Sequence, residues 1–393
     1  MKINLSTRLE KIPPYLFMQL RNKINAAKSA GIDVISLAIG DPVEPTPDIV
    51  IDELYRAAKD PENHRYPTDE EKGMLAFRRA VADWYMRRYN VSLNPADEII
   101  ALIGSKEGCH HFALAVINPG DIVLMTDPGY PAYRSSIIFA GGEPFNVPIK
   151  AENNFLPNFA DIDSDIAKKA KAMYLCYPNN PTGAIANKKF LQELIEFAKN
   201  YNILICYDNP YSEIVFDKND KISFLSVEGA KDVGVELNSL SKPYNMTGWR
   251  IGMAVGNKDI ISGISKVKEN TDSGIFNAIQ YAGIKALNEC DNHINKMIEL
   301  YLKRRSLVLK TFSELGLKNY NPPKGTFYLW LPVPDGMTSI DFATLLFEKS
   351  NVVVAAGSAY GKYGEGYIRI SLTVKDERLK TALERIKNSG IKY

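Results

Sequence analysis

The sequence predicts an α/β protein in which helices cover both faces of a mostly parallel β-sheet, joined to a smaller α+β domain. Short apolar runs alternate with longer amphipathic stretches in the middle of the chain, which is typical of βαβ units. Towards the C-terminus the runs alternate between apolar and polar residues, as half-buried strands do. The 393 residues are too many for one small core and enough for two domains.

The predicted strands of the large domain are short apolar runs that end at turns or polar residues. They lie at 98–104, 121–127, 172–178, 203–208, 235–241 and 249–256. Residues 188–201 have apolar side chains at helical spacing, and another helix is expected to begin at Ser105. Helical patterns return over 258–312. This order of elements favours βαβ units with both faces of the sheet covered.

The C-terminal part of the chain has a different pattern. Its expected strands are 325–333, 351–357 and 367–373, and its expected helices are 341–350 and 376–389. We therefore expect three parts in the chain. These are an N-terminal arm with part of the small domain (1–47), a large domain (48–290) and a small C-terminal domain (291–393).

Composition and charge argue against several classes of protein. Lys and Arg total 48 against 46 for Asp and Glu, a net charge of +2, whereas nucleic-acid-binding proteins usually carry a clear basic excess. No apolar run approaches the ~20 residues that span a membrane. The N-terminus lacks the features of a signal peptide. We expect a cytoplasmic protein that binds neither nucleic acid nor membranes.

The cysteines and histidines do not predict a metal site. The four cysteines, at 109, 176, 206 and 290, are widely spaced without a CxxC pair, so we expect buried thiols. His110 and His111 are adjacent and would point in different directions on a helix, so they cannot chelate a metal together.

Polar residues follow the predicted strands at their carboxyl ends, where ligands collect in open α/β sheets. These residues are Ser105, Lys106, Asp127, Tyr130, Asn179, Asn180, Asp208, Tyr211, Ser241 and Lys242. They offer a helix start, an aromatic ring, an amide, a carboxylate and a lysine. No Ser-His-Asp arrangement, P-loop or GxGxxG motif is evident. One cofactor that uses such a set is pyridoxal phosphate, whose aldehyde bonds to a lysine and whose ring nitrogen pairs with an acid.

Three sequence segments carry a family resemblance. S-L-S-K-P-Y-N-M-T-G-W-R (239–250), Y-P-N-N-P-T-G (177–183) and Y-D-N-P-Y (207–211) resemble the lysine, asparagine and aspartate motifs of the class I/II aminotransferases of fold type I. A later I-R-I (368–370) also matches, and the resemblance covers nearly the whole chain. It implies a pyridoxal-phosphate-dependent enzyme, with the cofactor in the large domain, that acts on amino acids and 2-oxo acids.

The resemblance and the chemistry of the cofactor together imply roles for five residues. Lys242 is expected to form the Schiff base with the cofactor and, once freed, to move a proton. Asp208 is expected to pair with the pyridine nitrogen. Asn180 and Tyr211 are expected to donate to the phenolate oxygen, and Tyr130 to stack on the ring. The predicted catalytic residues are therefore Lys242, Asp208, Tyr211 and Asn180.

The family pattern also implies a phosphate site made by Ser105, Lys106, Ser239 and Arg250. Backbone N–H groups at a helix start favour an anion, and an arginine can bind a phosphate through two nitrogens. Tyr66 resembles the tyrosine that reaches the phosphate of a neighbouring subunit, which implies a homodimer with shared active sites. The alternative is that Tyr66 is buried within its own subunit.

The substrate site is implied by two more positions. Arg369 resembles the arginine that binds the α-carboxylate of the substrate, and Gly40 is expected to close the other side of the site. Because Arg369 lies in the predicted small domain, substrate binding could draw that domain over the cofactor. The alternative for Arg369 is a solvated residue on an alternating strand.

Further segments narrow the resemblance to the LL-diaminopimelate aminotransferases. They include P-P-Y-L-F (13–17), N-H-R-Y-P (63–67), G-S-K-E-G (104–108) and G-A-K-D-V-G-V-E (229–236). Those enzymes make LL-diaminopimelate from tetrahydrodipicolinate, with glutamate as amino donor, in lysine biosynthesis. By resemblance, Tyr15 and Asn277 would reach the distal end of the substrate from the partner subunit, with Lys106, Tyr130 and Asn180 nearby. The alternative for Tyr15 and Asn277 is that they are ordinary packing residues.

The chain departs from that family pattern at three points. The acidic segment T-D-E-E-K (68–72) is longer than usual, Pro243 follows the lysine where threonine is usual, and Asn209-Pro210 replaces small residues. A changed loop near the cofactor could alter the substrate, so an aminotransferase for aspartate, aromatic or other amino acids is the alternative. A lyase that eliminates at Cβ, and a transcription regulator with an additional DNA-binding domain, are less favoured.

Overall fold

The computed structural model describes residues 3–13, 16–67 and 72–393. The strands in these ranges are β1 (Ile35–Ser36), β2 (Ile99–Leu102), β3 (Ile122–Asp127), β4 (Glu143–Pro148), β5 (Ala170–Cys176), β6 (Leu204–Asp208), β7 (Gly234–Ser239), β8 (Gly252–Gly256), β9 (Tyr328–Pro332), β10 (Val352–Val353), β11 (Ala355–Ala356) and β12 (Tyr367–Ser371). The helices are α1 (Thr7–Glu10), α2 (Leu16–Ser29), α3 (Asp48–Ala58), α4 (Leu75–Tyr89), α5 (Ser105–Val116), α6 (Ala132–Phe139), α7 (Ser164–Lys169), α8 (Lys188–Tyr201), α9 (Ala230–Val233), α10 (Lys258–Glu269), α11 (Asn277–Glu289), α12 (Asp291–Glu314), α13 (Ser339–Ser350) and α14 (Asp376–Asn388).

The main sheet, as far as the structure describes it, has seven strands in the order β2-β8-β7-β6-β5-β3-β4. The strands from β4 to β7 in this order are parallel, and β8 runs antiparallel to both β7 and β2. This arrangement confirms the predicted mostly parallel α/β sheet. The predicted strand 249–256 was too long, because Thr247–Trp249 forms a 3₁₀ turn and β8 begins at Gly252.

Helix α8 shows how local sequence sets the position of an element. The Asn187 side chain accepts a hydrogen bond from the N–H of Phe190 and caps the helix start, and Asn202 ends it in the left-handed conformation. Between these caps, Leu191 and Leu194 are fully buried. Burying such a side chain contributes about 1.5–3 kcal/mol. The helix boundaries match the predicted 188–201 because caps and apolar spacing agree.

Two smaller sheets involve the C-terminal part of the chain. The antiparallel sheet β11-β12-β9 contains Arg369 on its central strand, and β10 pairs in parallel with β1. The single strand predicted over 351–357 was wrong, because β10 and β11 belong to different sheets on either side of Val354. The division of the chain after 47 and 290 stays a prediction.

The carboxyl edge of the main sheet brings the predicted polar residues together. Cys176 at the end of β5 pairs with Asp208 at the end of β6, and Ser239 ends β7. Apolar clusters pack on both faces of this sheet. Among the described helices, none is both long and apolar enough to cross a membrane.

Candidate active site

A cavity of about 430 Å³ lies at this carboxyl edge. The predicted residues that line it are Gly40, Ser105, Lys106, Tyr130, Asn180, Asp208, Tyr211, Ser239, Lys242 and Arg250. They come from distant parts of the sequence and meet because parallel strands end at the same edge. The remaining lining residues are Met18, Ile39, Asp41, Cys176, Pro210, Ser241, Thr247 and Tyr328.

Lys242 follows β7 and reaches into the cavity with its Nζ atom, which donates to the carbonyl oxygen of Gly40 at 3.0 Å. Part of the side chain remains exposed to the cavity. Desolvation of the ammonium group lowers the pKa of Lys242 to about 8, although the nearby Asp41 carboxylate opposes this. Arg250 and Arg369 lower that pKa further by repulsion between like charges. A substantial fraction of Lys242 is therefore a neutral amine near pH 8, the form that bonds to carbonyl carbons.

Asp208 lies buried at the end of β6 on the cavity wall. Its Oδ2 accepts a hydrogen bond from the Tyr133 hydroxyl at 2.8 Å, whereas Oδ1 has no hydrogen-bond partner of ordinary geometry among the described residues. Burial raises the pKa of Asp208 to about 6, and the hydroxyl groups of Tyr133 and Ser105 oppose the shift. A cationic group that enters the cavity would stabilise this carboxylate strongly.

A cluster of anion-binding groups lies at the first turn of α5, where Ser105 and Lys106 line the cavity. Arg250 is held beside this turn because its Nη2 donates to the Ile103 oxygen at 2.9 Å. Gly104 has a φ of +96°, and a Cβ atom there would lie 2.3 Å from Arg250 Nη2. Glycine therefore allows the turn and the arginine to approach each other, with the helix N–H groups beside the guanidinium.

Ser239 and Ser241 complete this side of the cavity. The Ser239 hydroxyl oxygen accepts a hydrogen bond from the N–H of Ser241 at 3.2 Å. The Ser241 hydroxyl is buried and has no hydrogen-bond partner within the described part of the chain. An anion bound here would satisfy that hydroxyl.

Asn180 lines the opposite wall, and the buried Arg369 is hydrogen-bonded to it. Arg369 Nη1 donates to Asn180 Oδ1 at 2.8 Å, and Nη2 donates to the Ala38 oxygen at 2.6 Å. The arginine is fully buried rather than solvated, which excludes the alternative of an exposed strand residue. Tyr211 lines the same cavity as Asn180. The Tyr211 hydroxyl lies 3.3 Å from the hydroxyl of Tyr328, which also lines it.

Tyr130 lies beside α6 with its ring edge-to-face against Tyr133, at a centroid distance of 5.7 Å. The turn before it is held by Asp127, whose carboxylate accepts hydrogen bonds from the backbone N–H groups of Lys362 and Tyr363. Tyr130 thus lies on a well-fixed turn at the cavity wall. This position suits a ring that stacks on a flat ligand.

Among the predicted residues that the structure describes, Arg369, Tyr66 and Asn277 do not line this cavity. Tyr66 is 79% exposed, so the alternative that it is buried in its own subunit is wrong for the single chain. Asn277 begins α11, is buried, and accepts a hydrogen bond from Gln280. Tyr15 and residues 68–71 of the acidic segment lie outside the described residues.

Several residues at the cavity were not predicted from the sequence. Asp41 directly follows Gly40, and Thr247 lies within the lysine motif. Their position next to predicted site residues could have indicated that they line the cavity. Tyr328 had no such signal, because an aromatic residue on an alternating strand looks like a packing residue. Among the described residues, no group of three or more His, Cys, Asp or Glu side chains is positioned to hold a metal ion.

A mostly parallel sheet with a lysine and a buried aspartate at its carboxyl edge is the architecture of the fold-type-I aminotransferases. The solved structure of an aminotransferase from Staphylococcus aureus has a TM-score of 0.90 and 36% identity to this chain, covering 98% of each. The substrate-bound BacF structure from Bacillus subtilis has a TM-score of 0.95 and 36% identity, covering 100% of this chain and 99% of that one.

The chain belongs to the aminotransferase class I and II family, which it matches over residues 32–386. A relative named LL-diaminopimelate aminotransferase, from Halothermothrix orenii, is 53% identical over 388 residues, covering 98% of both chains. The predicted family and fold are therefore confirmed, and the protein is a transferase of amino groups.

Proposed function

We propose that the protein is a pyridoxal-phosphate-dependent aminotransferase that uses glutamate to convert tetrahydrodipicolinate to LL-diaminopimelate. The observation that carries the class of reaction is the cavity that places Lys242 with Asp208 and an anion-binding helix start. The assignment of the substrate is supported by relatives named LL-diaminopimelate aminotransferase, which match nearly the full chain at 53% and 51% identity. The proposal also places the enzyme in the cytoplasm, where amino acids are made.

The residues of the cavity fit the cofactor. Asp208 Oδ1 and the Ser241 hydroxyl are buried polar atoms without a hydrogen bond of ordinary geometry among the described residues, and a pyridine nitrogen and a phosphate would satisfy them. Lys106 and Arg250 supply positive charge at the phosphate end. Bound pyridoxal phosphate supplies an aldehyde that bonds to amines and a ring that accepts the electron pair released at the substrate α-carbon.

The side chains of this chain would then act on the substrate. Lys242, with its lowered pKa, takes and returns the proton at the α-carbon of the amino acid. Asp208 holds a proton on the pyridine nitrogen. Since Asn180 Oδ1 already accepts from Arg369, its amide nitrogen is the atom that donates to the phenolate oxygen.

Arg369 binds the α-carboxylate of either amino acid, since both substrates of the reaction carry this group. Lys106 and Tyr130 line the same cavity and would contact the rest of the substrate. Tyr66 and Asn277 do not line their own cavity, which supports a homodimer in which they serve the partner site. Tyr15 is likewise predicted to reach the site of the partner subunit.

Absorbance spectra of the purified protein test this function. Wild-type protein with added pyridoxal phosphate should show a visible band that decays when LL-diaminopimelate or glutamate is added. The Lys242→Ala variant should lack this response. A band that responds to aspartate or an aromatic amino acid, but not to LL-diaminopimelate, would instead favour the alternative substrate class. Absence of any band with added cofactor would contradict the whole proposal.

A further inference from the structure

Tyr328 contacts three of the predicted site residues, although no motif pointed to it. It begins β9, is 3% exposed and lines the cavity. Its hydroxyl lies 3.3 Å from that of Tyr211, and its ring centre lies 3.9 Å from Arg369 Cζ. A Cβ atom on Gly40 would lie 1.8 Å from the Tyr328 hydroxyl, so only glycine fits there without movement of the tyrosine.

We propose that Tyr328 is a positioning residue, which directs Tyr211 through its hydroxyl group and Arg369 through its ring. The inference rests on the proposed function, in which Tyr211 donates to the cofactor and Arg369 binds the substrate. The two contacts are made by different atoms of one side chain. They can therefore be separated by two substitutions.

The hydroxyl groups of Tyr328 and Tyr211 can form consecutive hydrogen bonds, in which Tyr328 donates to Tyr211 and Tyr211 donates to the cofactor. Tyr211 has a single proton, and burial together with the neighbouring Tyr328 raises its pKa well above the ordinary value, so it stays protonated. When Tyr211 donates that proton to the phenolate oxygen, its own oxygen is left to accept from Tyr328. A hydrogen bond received at one end of a hydroxyl strengthens the one donated at the other. Tyr328 thus makes Tyr211 a stronger donor.

The ring contact fixes the plane of the guanidinium. Arg369 donates hydrogen bonds to Asn180 Oδ1 and to the Ala38 oxygen. Two aromatic rings lie beside the guanidinium, and Tyr328, at 3.9 Å from Cζ, is nearer than Tyr360, at 4.8 Å. The closer ring opposes tilting of the guanidinium plane most strongly. A substrate carboxylate needs the guanidinium in one plane for a two-point contact.

Tyr328→Phe tests the hydroxyl contact, because it keeps the ring. In the cofactor-loaded protein, we expect the pH midpoint of the visible spectral change to rise by about half a pH unit, since a weaker Tyr211 donor stabilises the phenolate less. KM for glutamate should change less than about twofold, because the ring remains under Arg369. An unchanged or lowered midpoint would overturn this part.

Tyr328→Leu tests the ring contact. We expect it to shift the midpoint as Phe does and, in addition, to raise KM about tenfold for both glutamate and LL-diaminopimelate, since both need Arg369. Equal KM values for the Leu and Phe variants would overturn the ring contact. A circular dichroism spectrum and a normal cofactor content establish that each variant is folded.

Tyr207→Phe is the matched control. Tyr207 is also fully buried, its hydroxyl has no partner among the described residues, and its ring stacks on Phe224 at 5.2 Å. The pH midpoint of the spectral change in Tyr207→Phe should equal that of wild type. An equal shift would mean that loss of any buried hydroxyl has this effect, which overturns the inference. A wild-type protein without a responsive band would instead reject the proposed function.

Discussion

Asp208 brings a carboxylate into the protein interior before any cofactor binds. Burial raises its pKa from the ordinary 3.8 to about 6. Because the pKa of the folded state is the higher one, folding favours the protonated form. That contribution to stability is fully present below pH 3.8 and is lost as the pH rises through about 6. The site residue therefore lowers the stability of the cofactor-free protein at neutral pH.

Replacing Asp208 by asparagine should remove this effect while keeping an acceptor for Tyr133. We expect cofactor-free Asp208→Asn to exceed the cofactor-free wild type in unfolding free energy by roughly 3 kcal/mol at pH 8 and about half of that at pH 5. Urea denaturation at both pH values measures the difference. A gain that does not depend on pH would contradict the explanation.

Arg369 provides a second test at the residue level. Lysine keeps the charge but loses the two-point contact and the flat stacking on Tyr328. We expect Arg369→Lys to lower kcat/KM for glutamate about 100-fold, mainly through KM. Steady-state kinetics at saturating cofactor would show this. A loss confined to kcat would mean that the arginine does not bind the ground-state substrate.

At the level of elements, an ion cluster around the buried Lys268 joins α10 to the turn that carries Ser105 and Lys106. The Lys268 side chain is fully buried and lies 2.8 Å from carboxylate oxygens of both Glu107 and Asp272. Glu107 also accepts a hydrogen bond from the N–H of Ile103, at 2.5 Å. Burial and the neighbouring Asp272 raise the pKa of Glu107 to about 7.

Removing the cation should leave the nearly buried Glu107 beside the partly exposed Asp272 without a compensating charge. We expect Lys268→Met to lower the unfolding free energy by about 3–5 kcal/mol. Lys285→Met is the control, because Lys285 pairs with Glu289 on one helix where solvent screens the charges, so this variant should lose far less stability. Denaturation of both variants in urea measures the contrast, and equal losses would contradict it.

These elements also show what the sequence can and cannot predict. Helix α8 was predictable because its caps and apolar spacing are local. Strand β4 was not, since its two prolines argue against a strand and only its place at the sheet edge tolerates them. Lys268 resembles a surface residue in sequence, because its partner Glu107 lies far away along the chain.

At the level of the whole molecule, the position of Tyr66 bears on assembly. It is 79% exposed, and nearby His64 and Phe276 form a tilted ring pair at 5.6 Å. If Tyr66 serves the partner site, a subunit with Tyr66→Phe and one with Lys242→Ala should complement each other. Each mixed dimer then contains one site that has both a native Tyr66 and a native Lys242.

The refolded mixture should recover roughly a quarter of wild-type activity under limiting cofactor, since half of its dimers are mixed and half of the sites in those are complete. Activity assays after refolding the two variants together measure this. No recovery above the separate variants would place Tyr66 in the site of its own subunit, or in none.

The sequence predicted the residues of the main cavity better than those expected to serve a partner subunit. Lys242, Asp208 and Asn180 follow strands that end at one edge, so topology alone brings them together. The roles predicted for Tyr66 and Asn277 would require a second subunit, whose position no pattern within one chain determines.

The pairing of β1 with β10 has a consequence for biosynthesis. Ile35 pairs with Val352, and the N–H of Ser371 donates to the Leu37 oxygen at 2.7 Å. Synthesis proceeds from the N-terminus, and contacts of such high contact order form late. The segment that carries Gly40 therefore cannot form its native pairing until the C-terminal strands have been translated. A nascent chain stalled before Val352 has most of its main sheet but no closed substrate site, so the enzyme becomes competent only when translation is nearly complete.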